Sequence, residues 1–125
     1  MSADYKILHD KNLIVVSYSD ELTVQDIIDL RIKGMNDPDF NPTYDVIDDL
    51  SAVTSTNINY DNVHKISSES VAQPGVKRAL VAVSDLQLGM ANMYKVVSEP
   101  SGQIFKIFND YSTAMEWILA TDGEK

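Results

Sequence analysis

With 125 residues, 44% of them hydrophobic and 8% aromatic, the chain has the size and apolar share of one folded domain, and its lack of cysteine excludes disulfides, thiolate metal centres and cysteine nucleophiles together. A formal net charge of -9, with ten scattered basic side chains against nineteen acidic ones, disfavours nucleic acid and anionic membrane surfaces as partners. The longest apolar run, Ala79 to Val83, is far below the roughly 20 residues that a spanning helix requires, and Met1 to Asp10 lacks the apolar stretch of a secretory signal, so the expected location is cytoplasmic.

Tyr5, Ile7 and the run Leu13 to Tyr18 flank the turn formers Asp10, Lys11 and Asn12, which predicts an opening β-hairpin. Thr23 then caps a helix in which Val24, Ile27, Ile28, Ile32 and Met35 share a face, with Asp26 near its positive end and a stop near Gly34. Asn36 to Thr43 is a loop by composition. Asp45 to Leu50 reads as a short strand, and the hydroxyl-rich stretch Ser51 to Asn59 as its exit loop. A helix from about Asp61 to Ala72 is expected to use Tyr60, Val63, Ile66 and Val71 as its apolar face and to end at Gln73-Pro74-Gly75. Ala79 to Val83 is continuously apolar, as in a central strand covered on both faces. Ser84 and Gln87 form a capping-box pattern ahead of a helix striped by Leu86, Met90, Met93 and Val97. Ile104 to Phe108 alternates as a strand, and Ser112 to Leu119 forms the last helix, with Ala114, Trp117 and Ile118 on one face. The order β-β-α-β-α-β-α-β-α implies one α/β domain with a mixed, mainly parallel sheet of four or five strands, a core from Tyr5 to Leu119 and a polar tail from 120 to 125.

No catalytic set can be assembled from these residues. His9 and His64 have no partner at metal-ligand spacing, no serine stands in a Gly-x-Ser-x-Gly elbow, and the five glycines form no phosphate loop. Asp45, Asp48 and Asp49 are the densest carboxylates, but on a strand Asp45 and Asp49 point one way and Asp48 the other, so neither a metal nor a cofactor is expected. In open α/β sheets, ligands collect beyond the carboxyl ends of the parallel strands. Those ends carry Ser51, Thr54, Ser55, Thr56 and Asn57 after one strand, Ser84 and Asp85 after the next, and Asn109 and Asp110 after the last. Single residues of these types are commonly caps and turn formers, but together they mark a hydroxyl-lined crevice. Leu86, Met90, Met93, Tyr94 and Trp117 are a second candidate group, lining an apolar ligand pocket between the sheet and helix 86–98; methionine repacks readily around variable partners, although at helical spacing it is also ordinary core.

Asp49-Leu50-Ser51, then Val53, a hydroxyl cluster and a helix resemble the strand-to-helix signature of STAS domains. Arg78 to Asp85, Gly89 to Tyr94, Ile107 to Asp110 and Ala114 to Ile118 are similar to the SpoIIAA-like branch of small bacterial proteins, also described as STAS/SEC14-like. The resemblance implies a SpoIIAA-like fold and a regulatory or protein-binding module rather than an enzyme. It also implies a partner or phosphorylation loop at Ser51 to Asn57, where the family's Asp-Ser-Ser/Thr-Gly is replaced by Thr54-Ser55-Thr56-Asn57 and Ser55 and Thr56 stand at the switch position. A protein partner, a second copy of the chain in a homodimer through Tyr44, Ile58 and Tyr60, or a small apolar or lipid-like ligand are the expected occupants.

Overall fold

The computed structural model describes residues 3–68 and 73–120. Five strands, β1 (Ala3–Leu8), β2 (Leu13–Leu22), β3 (Asp45–Thr56), β4 (Lys77–Val81) and β5 (Ile104–Phe108), form one sheet in the order β1-β2-β3-β4-β5. Only β1 is antiparallel to its neighbour; β2 to β5 run parallel. The hairpin turns through a single helical turn at His9–Lys11 and closes on Asn12, whose left-handed backbone (φ 50°) suits asparagine. Four helices follow the parallel strands: α1 (Val24–Met35), α2 (Tyr60–Ser68), α3 (Asp85–Ser98) and α4 (Tyr111–Leu119).

Each crossover from β2 to β5 carries the chain one strand in the same direction. Right-handed connections of that kind put every crossover helix on one face. Accordingly Ile14, Val16, Leu50, Leu80 and Phe105 pack with residues of α1 and α3, whereas Leu13, Val15, Ile47, Ala79 and Val81 meet Ala114 and Ile118 of α4 on the other side. β4 begins two residues before the predicted run Ala79 to Val83 and ends at Val81; Ala79, Leu80, Val81 and the following Ala82 are buried, as an interior strand covered on both faces requires, whereas Val83 is exposed.

Two local predictions hold closely: Thr23 with Asp26 and Ser84 with Gln87 make complete capping boxes, although α1 runs one residue past Gly34. The stretch Ser51 to Thr56 departs from expectation. It continues β3 rather than forming a loop, because β2 also runs on to Leu22 and pairs with it, past register shifts at Ser17/Ser19 and Asp20/Glu21. The predicted helix 61–72 is seen from Tyr60 to Ser68, with Val63 and Ile66 buried as expected but Tyr60 exposed in its first turn; Val71 and Ala72 lie outside the described residues.

Beyond Asp49, β3 has outrun β4, which leaves one edge of its backbone without a strand partner. Gln87 fills that edge. Its Nε2 donates to the carbonyls of Ser51 (3.1 Å) and Val53 (2.9 Å), while its Oε1 accepts from the amides of Val83 (2.8 Å) and Ser84 (3.2 Å). One 3%-exposed side chain thus satisfies four backbone groups and clips α3 to β3. Gln87→Met keeps the volume and removes every bond, so it should cost about 2–4 kcal/mol in urea denaturation. A loss below about 1 kcal/mol would mean that water replaces the clip.

Candidate functional site

The hydroxyl-lined edge is spent largely on structure. Ser84 and Asp110 are N-caps, accepting from the amides of Gln87 and Thr113, and the Thr113 bonds hold the Asp110 carboxyl below its usual range. Asp85 lies in the first turn of α3, and Asn109 is exposed just ahead of Asp110. Ser51 bonds Asp49 through its Oγ (2.6 Å), and Thr56 donates to the carbonyl of Leu22 (2.7 Å). Thr54, Ser55 and Asn57 are exposed at the end of the long β2–β3 ribbon.

A hollow lies elsewhere, between the sheet and α1, α2 and α3. Its larger chamber, about 120 Å³, is walled by Ile14, Val16 and Val46 of the sheet, Leu30 and Gly34 of α1, and Phe40, Pro42 and Tyr44 of the loop that follows. A smaller chamber of about 70 Å³ adjoins it, bounded by Val63 and Ile66 of α2 and Met90, Met93 and Tyr94 of α3. Tyr18, Ile27, Arg31 and Arg78 border both chambers. Met90, Met93 and Tyr94 thus share one volume. Trp117 does not join them: α4 carries it to the opposite face, where it packs on Phe108 (centroids 5.6 Å apart) beneath the ammonium of Lys77, which also donates to its carbonyl. Leu86 is 41% exposed in the first turn of α3 and lines neither chamber. Tyr44 and Ile58 are partly buried against the core and line the hollow, which leaves Tyr60 as the exposed member of the trio considered for self-association.

The floor of the hollow is an ion pair. Arg78 stands opposite Val46 in the β3/β4 register, which sets Asp48 on the same face one step along. Arg78 Nε donates to Asp48 Oδ2 at 2.6 Å and Nη2 to Oδ1 at 3.3 Å, a two-pronged contact with 13% and 4% of the side chains exposed. The guanidinium also lies over the ring of Tyr94 at 5.5 Å. Burial opposes its charge, but the neighbouring Asp48, aided by Tyr94 and Tyr18, holds its pKa above the ordinary value. The Tyr18 hydroxyl donates to Asp48 (3.3 Å); burial first, and the Asp48 charge second, push the phenol well above 10.0. Above, Arg31 of α1 donates to the carbonyl of Ile66 in α2 at 2.5 Å.

Sequence reasoning singled out Asp48 only as one of three carboxylates. The three are engaged separately: Asp45 accepts from the Lys77 amide, Asp48 pairs with Arg78, and Asp49 takes Ser51. Among the described residues, no three His, Asp or Glu side chains converge as a metal site would need. The His64 ring rests edge-on against Tyr60, and His9 bonds the Tyr44 hydroxyl.

Removing one partner of the pair leaves a buried charge, so Asp48→Leu and Arg78→Met should each cost about 3–5 kcal/mol, and the double variant clearly less than their sum. Additive costs in denaturation would show that the two side chains do not act as a pair. For Tyr18 the folded pKa is raised, so its contribution is complete below the unfolded value near 10 and is lost as pH rises through the folded value. Urea titrations at about pH 9 and about pH 11 should therefore show a fall in stability that Tyr18→Phe reduces; an identical fall in the variant would assign the loss to other groups.

No family model matches the chain, and no curated protein matches it either. Among solved structures, it is similar to an uncharacterized protein of the DUF3478 family from Shewanella loihica PV-4 described as having a SpoIIAA-like fold, at 14% identity, a TM-score of 0.63 and coverage of 94% of each chain. With its five-stranded mixed sheet and four interleaved helices, the chain has a SpoIIAA-like fold.

Proposed function

We propose that this chain is a non-enzymatic binding module that holds a small, largely apolar ligand between its sheet and the α1–α3 layer. The supporting observation is the pair of adjoining chambers, about 120 and about 70 Å³, in the part of the molecule where close packing should be tightest. A chamber of that size compares with the roughly 150 Å³ apolar cavity that accepts benzene in an engineered protein. Its walls combine aliphatic and aromatic side chains with a few polar ones, the usual composition of a small-molecule site. Met35, 55% exposed at the end of α1, and the Phe40–Tyr44 segment border the larger chamber and give it a route to solvent. The Tyr5 hydroxyl anchors the loop by bonding Asp37 at 2.6 Å, which raises the phenol to about 12.

Capture of a protein partner at Ser51 to Asn57 has less support. Two of its hydroxyls are already bonded within the fold, and α2 begins only at Tyr60, so Ser55 does not stand in a helix's first turn.

Gly34 offers the test. A Cβ built there meets nothing within 4 Å, and the residue lines the larger chamber from α1. Gly34→Leu should therefore keep or raise stability, since glycine inside a helix costs about 1 kcal/mol, while its side chain fills the chamber. Saturation-transfer NMR with toluene should give a signal for the wild-type protein and lose it for Gly34→Leu. Absence of any toluene signal from the wild type would overturn the reading.

A further inference from the structure

We infer that the hollow selects an apolar carboxylate, with Arg31 as the residue that receives the carboxylate group. This rests on the hollow being a ligand site and adds the chemistry of the ligand. The chain has two arginines and eight lysines; both arginines border both chambers, and among the described residues no lysine lines either. An acidic protein has thus placed its planar, permanently charged, fork-shaped donors at one spot.

The two arginines differ in what they have left to give. Arg78 is matched by Asp48, which takes both of its inward prongs. Arg31 spends one N–H on the Ile66 carbonyl, a neutral acceptor, and among the described residues no carboxylate lies within ion-pair distance of it. Its guanidinium has five N–H donors in all. Apart from Asp48 and the two arginines, the titratable side chains on the described lining are the tyrosines Tyr5, Tyr18, Tyr44 and Tyr94. Asp37 is held by the Tyr5 hydroxyl, with Lys33 and His9 acting on its charge, and is not on the lining. The described lining therefore carries one positive charge more than its carboxylate balances, and it does so beside apolar walls. A single negative charge on a compact apolar body complements it; an amine of the same shape does not.

Benzoate, toluene and benzylamine, matched in shape but not in charge, separate this claim from the one on which it rests. Benzoate should bind at least about tenfold more tightly than benzylamine, although the net charge of -9 favours the amine at long range. In Arg31→Gln that preference should collapse while toluene binding is unchanged. Arg31→Lys, which retains a cationic donor for the Ile66 carbonyl, should keep part of it. Toluene binding with no preference between acid and amine would overturn the charge assignment and leave the hollow as a neutral site. Failure of all three probes to bind would overturn the ligand site itself, and the charge assignment with it.

Discussion

The Asp48–Arg78 pair is the constraint around which the helical face is organised. Two ions at the centre of a sheet, with 4% and 13% of their side chains exposed, carry a desolvation cost of several kcal/mol each that only close mutual contact and further hydrogen bonds offset. The 2.6 Å contact, the Tyr18 hydroxyl on Asp48 and the Tyr94 ring against Arg78 supply those terms. A helix cannot settle on such a floor as it settles on valines. Ile27 and Leu30 of α1 reach the sheet toward β2, Met90 and Ala91 of α3 reach it toward β4, and the strip between them stays open. The hollow is thus a consequence of a polar group set where apolar packing would otherwise close the layer.

The opposite face shows what the same sheet does without that interruption. Leu13, Val15, Ile47, Ala79 and Val81 meet Ala114 and Ile118 with little exposure, and the polar side chain there, Lys77, runs to the end of α4. Its ammonium donates to the carbonyls of Trp117 and Ala120, the groups left over at a helix C-terminus and the negative end of its dipole. Lys77 therefore serves as a cap, whereas Arg78, one residue later and on the other face, forms the floor of a cavity. The pleat separates the two roles completely.

How far this was legible from sequence depends on whether a feature is local. The hairpin turn at Asn12, the capping boxes at Thr23 and Ser84 and the apolar residues Ala79 to Val81 of β4 involve positions close together, and each is visible in the chain as written. The ion pair joins residues 30 positions apart, and its geometry follows from the β3/β4 register, which no single strand declares. The same limit explains the Ser51–Thr56 stretch. Threonine and serine suit both loops and strands, and what makes this segment a strand is the extension of β2 beyond Tyr18. Trp117 was misgrouped for a related reason: periodicity says which side of α4 is apolar but not which face of the sheet that helix covers. Met90, Met93 and Tyr94 line one chamber because α3 alone presents all three to it.

The charge distribution is the last feature that composition hides. A net charge of -9 suggests a surface hostile to anions, but screening at physiological ionic strength confines exposed charges to roughly 8 Å, and a recess on one face is governed by what lines it. There, among the described residues, the balance is one carboxylate against two guanidiniums. Lys33, Lys11 and Lys95 serve surface pairs with Asp4, Asp10 and Glu99, for which a flexible, strongly hydrated ammonium is adequate. Arginine occurs only where a charge must be kept in an apolar recess, a task that suits a weakly hydrated cation which does not deprotonate. Lys77 is also buried, but as a helix cap on the opposite face, so the use of the two residue types still follows the geometry: the paired lysines stand in solvent, and the α1–α3 side of the sheet holds its charge as guanidinium.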